Sequence, residues 1–416
     1  MPLLDLGEQP LAGHFPTAEE AAAGLASWPL RLMVCRSCWL AQLDDAAADE
    51  PAGTDALVEP VSSAIRDHLD AWADAIAARV GRKGADRVVE LASHGGSLHR
   101  GLAERDIRST LLDADARRVG RLRRWGVPAH RLPSGPGAAG RLAERIGRPR
   151  LIVDQYLLAH VRRPVALLAA LRALAGADTE LVLECEYVAS VLTAGRFDSL
   201  RHGHFSYFSL ASLEAALQTA GWRALDVQRQ PVFGGALRVW AEPAEAARDT
   251  RGGRRPVAEG SGLVQLRIQE AEMRLRTEAP YRAFVERAEA TGRALVEALQ
   301  AERAAGRRVA AYGAPTRGNT LLNSCGVGTD LVEFTVDANP RKQGLFLPGS
   351  GIPILPVEEL ERRSPDTILA LTWDLAGEDI PRLPATPERR LRVMVPLPEL
   401  RTIELPGPAA DTGCMP

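Results

Sequence analysis

Lysine is almost missing from this chain of 416 residues. Of its 51 basic residues only Lys83 and Lys342 are lysines, and the rest are arginines. With 37 glycines and 29 prolines, that usage reads as the imprint of a GC-rich gene, so the arginine count alone points to no ligand. Charge of one sign is missing too. The 51 basic residues face 53 acidic ones, for a formal charge of -2 and a pI of about 6.5. No global basic field exists, and non-specific nucleic-acid binding is not expected. No apolar run approaches the roughly 20 residues of a membrane helix, so no membrane partner is expected. Met1-Pro2-Leu3-Leu4-Asp5 lacks the basic and apolar regions of a secretory signal. A cytoplasmic protein is expected. The five cysteines are odd in number and scattered, which does not suggest a disulfide framework. Hydrophobic residues at 46% and charged ones at 25% exclude a mainly disordered chain. The length suits about two to three domains.

What is present is organised. Residues 1–60 are rich in Pro, Gly, Ala and acid and hold Cys35-Arg36-Ser37-Cys38. That stretch is too short for a large core and reads as an appendage or a small metal-type module. Residues 64–80 have helical periodicity. Arg87 to Ala92 then reads as a buried strand, followed by the turn Ser93-His94-Gly95-Gly96 and a helix over Ser97 to Arg105. Thr110 to Asp113, Arg150 to Asp154 and Glu180 to Glu184 read as further strands, and Pro164 suits the first turn of a helix. Strands alternating with helices imply a parallel, doubly wound sheet. Residues 245–262 read as a linker, and 262–305 as two helices around Pro280. A second α/β unit then begins: strand Arg308 to Tyr312, the loop Gly313 to Thr320, a strand over Leu331 to Asp337, and another over Asp366 to Leu371. Two Rossmann-like units in one chain are expected.

Four constellations carry chemistry. The Gly95-Gly96 turn follows a strand, and Asp113 ends the next one. This suits a dinucleotide or S-adenosylmethionine pocket, with the acid accepting from a ribose diol. The full G-x-G-x-x-G is absent, and a generic strand-helix turn has the same pattern. Cys35 and Cys38 have half the spacing of a zinc knuckle, but no second pair completes four ligands; an incomplete site is the favoured reading. His202 and His204 lie in Arg201-His202-Gly203-His204-Phe205-Ser206-Tyr207-Phe208. In an extended segment both would point to one face. Such a histidine can remove a carbon-bound proton beside a ketone, and packing histidines are the alternative. The loop from Gly313 to Thr320 opens a helix, and Arg317 and backbone N–H groups there suit a phosphate. It lacks the Walker Lys-Ser/Thr pair. Asn339, Lys342 and Gln343 add polar groups on the same expected edge.

The whole chain resembles the nucleoside-diphosphate-sugar C-methyltransferase family, with its motifs in order. Leu4-Asp5-Leu6-Gly7, the Cys35/Cys38 pair and Gln42-Leu43 resemble the family's N-terminal zinc domain. Glu90-Leu91-Ala92-Ser93-His94-Gly95-Gly96 resembles its cofactor loop, and Phe197-Asp198-Ser199-Leu200-Arg201-His202-Gly203-His204-Phe205-Ser206-Tyr207-Phe208 its catalytic stretch. Tyr312-Gly313-Ala314, Gly318-Asn319-Thr320, Asp337-Ala338-Asn339-Pro340 and Lys342-Gln343-Gly344 resemble its C-terminal domain. The resemblance implies a small N-terminal zinc-type module (1–60), a Rossmann methyltransferase-like domain (61–245), linker and helices (246–305), and a C-terminal α/β domain binding the sugar nucleotide (306–416). It implies methyl transfer from S-adenosylmethionine to a keto-deoxysugar nucleotide in natural-product biosynthesis. His204 matches the base, His160 a second histidine near the sugar, and Asp113 the ribose acid. His202 and Arg201 join the catalytic set. Glu90, Ala92, Gly95, Gly96 and Asp113 would meet the cofactor. Ser62, Arg317, Asn319, Asp337 and Lys342 would meet the substrate.

The departures from the family pattern cluster. Arg201 stands where the family has Tyr, Gly203 where it has Glu, and His94-Gly95 where it has Asn-Asp. Glu59-Pro60-Val61-Ser62-Ser63 replaces a Tyr-rich segment that closes over the sugar, and the acid-aromatic pair near the adenine is absent around Leu132-Pro133-Ser134. The family's first C-x-x-C is missing because the chain starts at Met1, as a start codon upstream would explain. The alternative reading is a diverged homologue without methyl transfer: a keto-sugar epimerising or enolising enzyme, or a partner that binds a pathway enzyme.

Overall fold

A computed structural model describes residues 1–44, 46, 63–81, 88–91, 97–247, 258–375, 377, 383 and 391–405. Among these, the strands form sheets of four, seven and six members. The expected turn at Ser93–Gly96, most of the expected linker and the expected site residues Ser62, Ala92, Gly95 and Gly96 lie outside the described residues.

The N-terminal sheet is antiparallel. Strand β1 (Pro2–Pro10) pairs with β2 (Ser27–Val34), β2 with β3 (Ala41–Leu43), and β3 with the distant β9 (Ser206–Tyr207). Leu30, Leu32 and Val34 alternate inward on β2 and are almost fully buried, as one covered face requires. They belong to one continuous core with Val89, Leu91 and Leu183 of the next sheet. The stretch read as an appendage is thus clamped onto the chain that carries the expected catalytic segment.

The central sheet comprises β4 (Val88–Leu91), β5 (Ser109–Asp113), β6 (Ala129–Arg131), β7 (Leu151–Gln155), β8 (Glu180–Glu186), β10 (Trp222–Gln230) and β11 (Ala236–Pro243). Their order is β10-β11-β8-β7-β4-β5-β6, and only β11 runs against its neighbours. Strands β4, β7 and β8 are buried along their whole length. Helices cover both faces, so these strands read as continuous rather than alternating apolar runs. The order reverses between β5 and β7 on either side of β4, which opens a crevice beyond the carboxyl ends of the strands. Glu90, Asp113, Asp154 and Glu186 all lie at or near those ends.

The expected helices are present as Ser63–Val80, Ser97–Ala103 and Pro164–Leu174, and the pair around Pro280 as Ser261–Glu272 and Ala279–Ala304. The C-terminal sheet holds β12 (Val309–Tyr312), β13 (Thr335–Val336), β14 (Ile354–Leu355), β15 (Thr367–Ala370), β16 (Leu391–Val395) and β17 (Arg401–Leu405), in the order β14-β13-β12-β15-β16-β17. All neighbours are parallel except the last pair. The strand expected over Leu331–Asp337 is only Thr335–Val336. Its first part is spent in a turn, where Leu331 and Val332 donate to the Gly328 carbonyl. The expected α/β architecture, with two largely parallel sheets and a small N-terminal module, is what the chain adopts.

Candidate active site

A cavity of about 300 Å³ lies between the central and C-terminal units. Tyr156, His160, Glu186, Arg201, His204 and Phe233 line one side; Pro315, Thr316, Arg317 and Lys342 line the other. A larger groove, about 490 Å³, runs between β1 and the helix Ala279–Ala304 and carries none of the expected site residues.

His160 ends a short 3-10 turn, Leu157–His160. Asp154 caps that turn by accepting from the N–H groups of Leu157 (2.9 Å) and Leu158 (3.0 Å). Burial pushes the Asp154 carboxyl up to about 7, against the pull of those two donors. His160 Nδ1 lies 2.8 Å from the Gly203 carbonyl. A carbonyl only accepts, so Nδ1 carries the proton. Phe205 N–H also donates to the Ala159 carbonyl at 2.7 Å, which stitches the two histidine segments together.

His204 is 2% exposed. Its ring meets His160 edge-on at 5.0 Å and tilts against Tyr207 at 4.5 Å. Burial first, then Arg201 and His160, hold its pKa well below the ordinary histidine range. The imidazole is therefore neutral at pH 7 and able to accept a proton. Nδ1 has no hydrogen-bond partner among the described residues. Tyr207 donates its hydroxyl to the Ser199 carbonyl at 3.0 Å and so works as packing.

His202 does not share this face. Gly203 has φ +78° and turns the chain between the two rings, so the extended geometry expected for the pair does not hold. The His202 ring instead sits 3.2 Å from the carbonyls of Gln9 and Trp28. It fastens the N-terminal sheet and is absent from the cavity lining. His202→Ala is expected to cost about 1–3 kcal/mol of stability while leaving ligand affinity within a factor of two or so. Denaturant unfolding and calorimetry check this.

On the opposite wall, Arg317 donates through Nη2 to Asp374, and its guanidinium lies 5.4 Å from the Trp373 ring. Its Nη1 is buried and unpartnered among the described residues. Lys342 Nζ donates to the Ala314 carbonyl at 2.9 Å and lies 4.7 Å from the Phe15 ring centroid. With Arg201 these are the cations of the cavity. Asp337 and Asn319 do not line it. Asp337 shapes the loop by accepting from the N–H groups of Ala314 and Asn339, both at 2.8 Å. Asn319 is fully buried and donates to the Ala12 carbonyl at 2.6 Å. Asn319, expected at the diphosphate, lies outside the cavity lining and ties the N-terminal segment down.

At the switch point, Glu90 is fully buried, and burial pushes its carboxyl up to about 8. Ser109 Oγ stands 3.4 Å from Oε2, while Oε1 is unpartnered among the described residues. Asp113 ends β5, caps the following turn by accepting from Asp115 N–H at 2.7 Å, and has Oδ2 3.2 Å from Arg118. That Oδ2 contact lacks hydrogen-bond geometry. Glu90 Oε1, without a partner among the described residues, and Asp113, whose Oδ2 shares its charge with Arg118, stand beside the crevice where an amino-acid moiety and a nucleoside ribose would lie. Between pH 4.5 and about 8 folded Glu90 keeps a proton that the unfolded chain has released, so its burial costs stability as pH rises. Glu90→Gln cannot ionise. It should gain at least about 1 kcal/mol over the parent on going from pH 5 to pH 9, since one pKa unit is worth about 1.4 kcal/mol. Paired unfolding curves test it.

Cys35 and Cys38 are free and partly buried. Backbone donors of Cys38 and Ser37 hold the Cys35 thiol below its ordinary pKa, and burial raises that of Cys38. Among the described residues no cluster of three or more His, Cys, Asp or Glu includes them. Two donors do not make the tetrahedral set that zinc requires.

The residue missed by the sequence reading is Glu186. Its carboxylate lines the cavity and stands 3.8 Å from His204. Nothing in the sequence separates it from Glu184 two residues earlier on the same strand.

Residues 231–398 match the family model of the C-methyltransferase C-terminal domain, and residues 1–51 that named "Putative zinc binding domain". Magnesium protoporphyrin IX methyltransferase of Synechocystis PCC 6803, solved with bound SAH, is 16% identical, with a TM-score of 0.34, over 45% of this chain and 88% of that one. The CcbJ methyltransferase of Streptomyces caelestis is 15% identical, with a TM-score of 0.35, over 47% of this chain and 97% of that one. C-methyltransferase NovU of Streptomyces niveus is 32% identical over 407 residues, 96% of this chain and 94% of NovU. With a likeness of that extent running through all three sheets and both walls of the cavity, the chain belongs to the C-methyltransferase family.

Proposed function

We propose that the chain is an S-adenosylmethionine-dependent C-methyltransferase whose acceptor is a nucleoside-diphosphate keto-deoxysugar of natural-product biosynthesis. The observation that carries the reading is the pairing of a neutral, buried imidazole, His204, with a wall of cations, Arg317, Lys342 and Arg201, across one cavity. A diphosphate suits those cations, and a keto-sugar attached to it would then lie near the histidines.

A ketone acidifies the hydrogen on the neighbouring carbon. His204 takes that proton, and the electron pair remains on the substrate as an enolate. The low-dielectric cavity strengthens every charge interaction within it, so Arg201 beside the ring stabilises the developing oxyanion. His160, with its proton fixed on Nδ1, helps to hold the sugar. Tyr156 and Phe233 meet edge-on at 5.3 Å and wall off the cavity. Glu90 and Asp113 would hold the donor at the switch point. Bound S-adenosylmethionine would supply a sulfonium-activated methyl group for the nucleophilic carbon.

Calorimetry with S-adenosylmethionine, followed by mass spectrometry of a keto-sugar nucleotide incubated with both, tests the reading. Saturable binding and a mass gain of one methylene group are expected. Absence of binding at millimolar donor removes methyl transfer. A second reading, proton exchange without methylation, draws on the Arg118 contact at Asp113 Oδ2, which occupies part of the ribose acid. Solvent deuterium entering the sugar with no donor binding would select it.

A further inference from the structure

The chain has a formal charge of -2, but that charge is not evenly spread. Between residues 116 and 150 stand ten arginines and one acid, Glu144. That stretch forms one margin of the central sheet: β6 is its edge strand, with the helices Ala116–Arg124 and Pro136–Ile146 before and after it. A cavity of about 460 Å³ opens there, and it shares no lining residue with the cavity of His204. Arg123, Arg131, Arg141 and Arg145 line it, together with His130.

Elsewhere in this chain arginines find acids. Arg105 meets Asp74, Arg267 meets Glu214 and Glu259, and Arg308 meets Glu333. None of the four cavity arginines pairs with a carboxylate among the described residues. Arg141 and Arg145 are one turn apart on one helix, a like-charge spacing that disfavours it. Arg123 is held in place, donating through Nε to the Ala129 carbonyl at 2.7 Å, with Nη2 3.5 Å from His130 Nδ1. Burial first, then Arg123 and Arg145, lower the His130 pKa, so that ring already feels the field. Four positive charges around one concavity repel one another, and solvent and salt screen that repulsion only in part. A bound polyanion removes it.

We propose that this cavity is a second ligand site, for a molecule that bears a diphosphate or triphosphate. The guanidinium forks of Arg131, Arg141 and Arg145 take phosphate oxygens in pairs. Leu132, Pro133 and Leu142, which also line the cavity, offer apolar surface to the rest of the ligand. A carboxylate or a monophosphate brings too little charge to balance four cations. The site stands on its own geometry and is independent of the acceptor proposed above.

Titration calorimetry and NMR of histidine-labelled protein test it, at physiological ionic strength, with inorganic pyrophosphate and ADP as probes. Pyrophosphate is expected to bind and to raise the His130 pKa, because an anion offsets the arginines. His130 is assigned by the signal lost in His130→Gln. Tighter binding of ADP than of pyrophosphate identifies a nucleotide site, and the reverse order a site for the inorganic anion. Arg131→Gln/Arg141→Gln changes two exposed side chains. Affinity at this site should fall at least about tenfold, while the melting temperature without ligand holds at the parent value or rises. A further equivalent of pyrophosphate that both parent and variant bind belongs to the cavity of His204; its absence counts against the diphosphate reading there and leaves this site standing. Binding that leaves His130 unmoved, or that is as tight in the variant as in the parent, overturns the proposal. Displacement of pyrophosphate by S-adenosylhomocysteine does so too, since the cavity would then be part of the donor crevice.

Discussion

His204→Gln is expected to slow deuterium uptake by a keto-sugar nucleotide by about 10³-fold, within the range that a positioned general base supplies. The substitution suits a fully buried site because glutamine fills much of the same space. It removes the buried, neutral imidazole from the cavity wall. The ring's pKa lies below 6.5 because burial and the neighbouring Arg201 oppose its charging. The parent rate should therefore hold as pH falls through the usual histidine range and drop only below it. The same shift predicts a stability effect. Below about pH 6.5 the unfolded chain takes up a proton that the folded ring refuses, so the parent loses stability on acidification. His204→Gln should lose less between pH 7 and pH 5. Exchange within threefold of the parent would mean that another group is the base.

Arg317→Leu is expected to destabilise the protein by about 3–5 kcal/mol at pH 8, the cost of removing one partner from a buried charge pair. Asp198 has no exposure, and burial raises its pKa while Arg317 and Arg196 oppose the rise. Its Oδ2 accepts from Trp373 Nε1 at 2.7 Å, so the carboxylate cannot move away. Without Arg317, Asp198 and Asp374 share a poorly compensated pocket. Protonation relieves that strain: the folded state then binds more protons than the unfolded one, and the loss should shrink toward pH 5. Adding Asp374→Asn should recover part of the stability at pH 8. Affinity for a nucleoside diphosphate should fall about tenfold or more in either background, as loss of a charge-assisted contact entails. Unfolding curves at the two pH values, with calorimetry, decide; equal stability of variant and parent at both would refute the buried pair.

Much of the fold was legible because it is local. Val88–Leu91, Leu151–Gln155 and the apolar part of Glu180–Glu186 are short β-rich runs bounded by turn residues, and buried parallel strands have no other way to look. Pro280 falls in the first turn of the helix Ala279–Ala304, where proline is tolerated. Strands β1, β2, β3, β6, β9, β10, β11, β14, β16 and β17 escaped notice. Ala129–Arg131 and Ile354–Leu355 are too short to show a period, and Trp222–Gln230 and Arg401–Leu405 mix polar residues at positions that face solvent.

The site divides along the same line. The residue types that can take a proton or hold a phosphate, His204, His160, Arg317 and Lys342, are visible one by one in the chain, and they do converge on one cavity. Their neighbours in sequence were the wrong guide to their neighbours in space. His202 is two residues from His204, yet a left-handed glycine sends it to carbonyls of the N-terminal sheet. Asn319 is two residues from Arg317, yet it points to Ala12.

Hydrophobic patterning by itself determined that strands alternate with helices in two units, because burial of an element's face is written in its own period; the strand order and its switch points came from the tertiary structure. Only the tertiary structure decided which polar group serves which. Glu186 comes within 3.8 Å of His204 from another strand end, while Arg196 and Ser199 hold its other oxygen. Hydrogen-bond direction over a few ångströms, unlike apolar burial, has no signature along the chain.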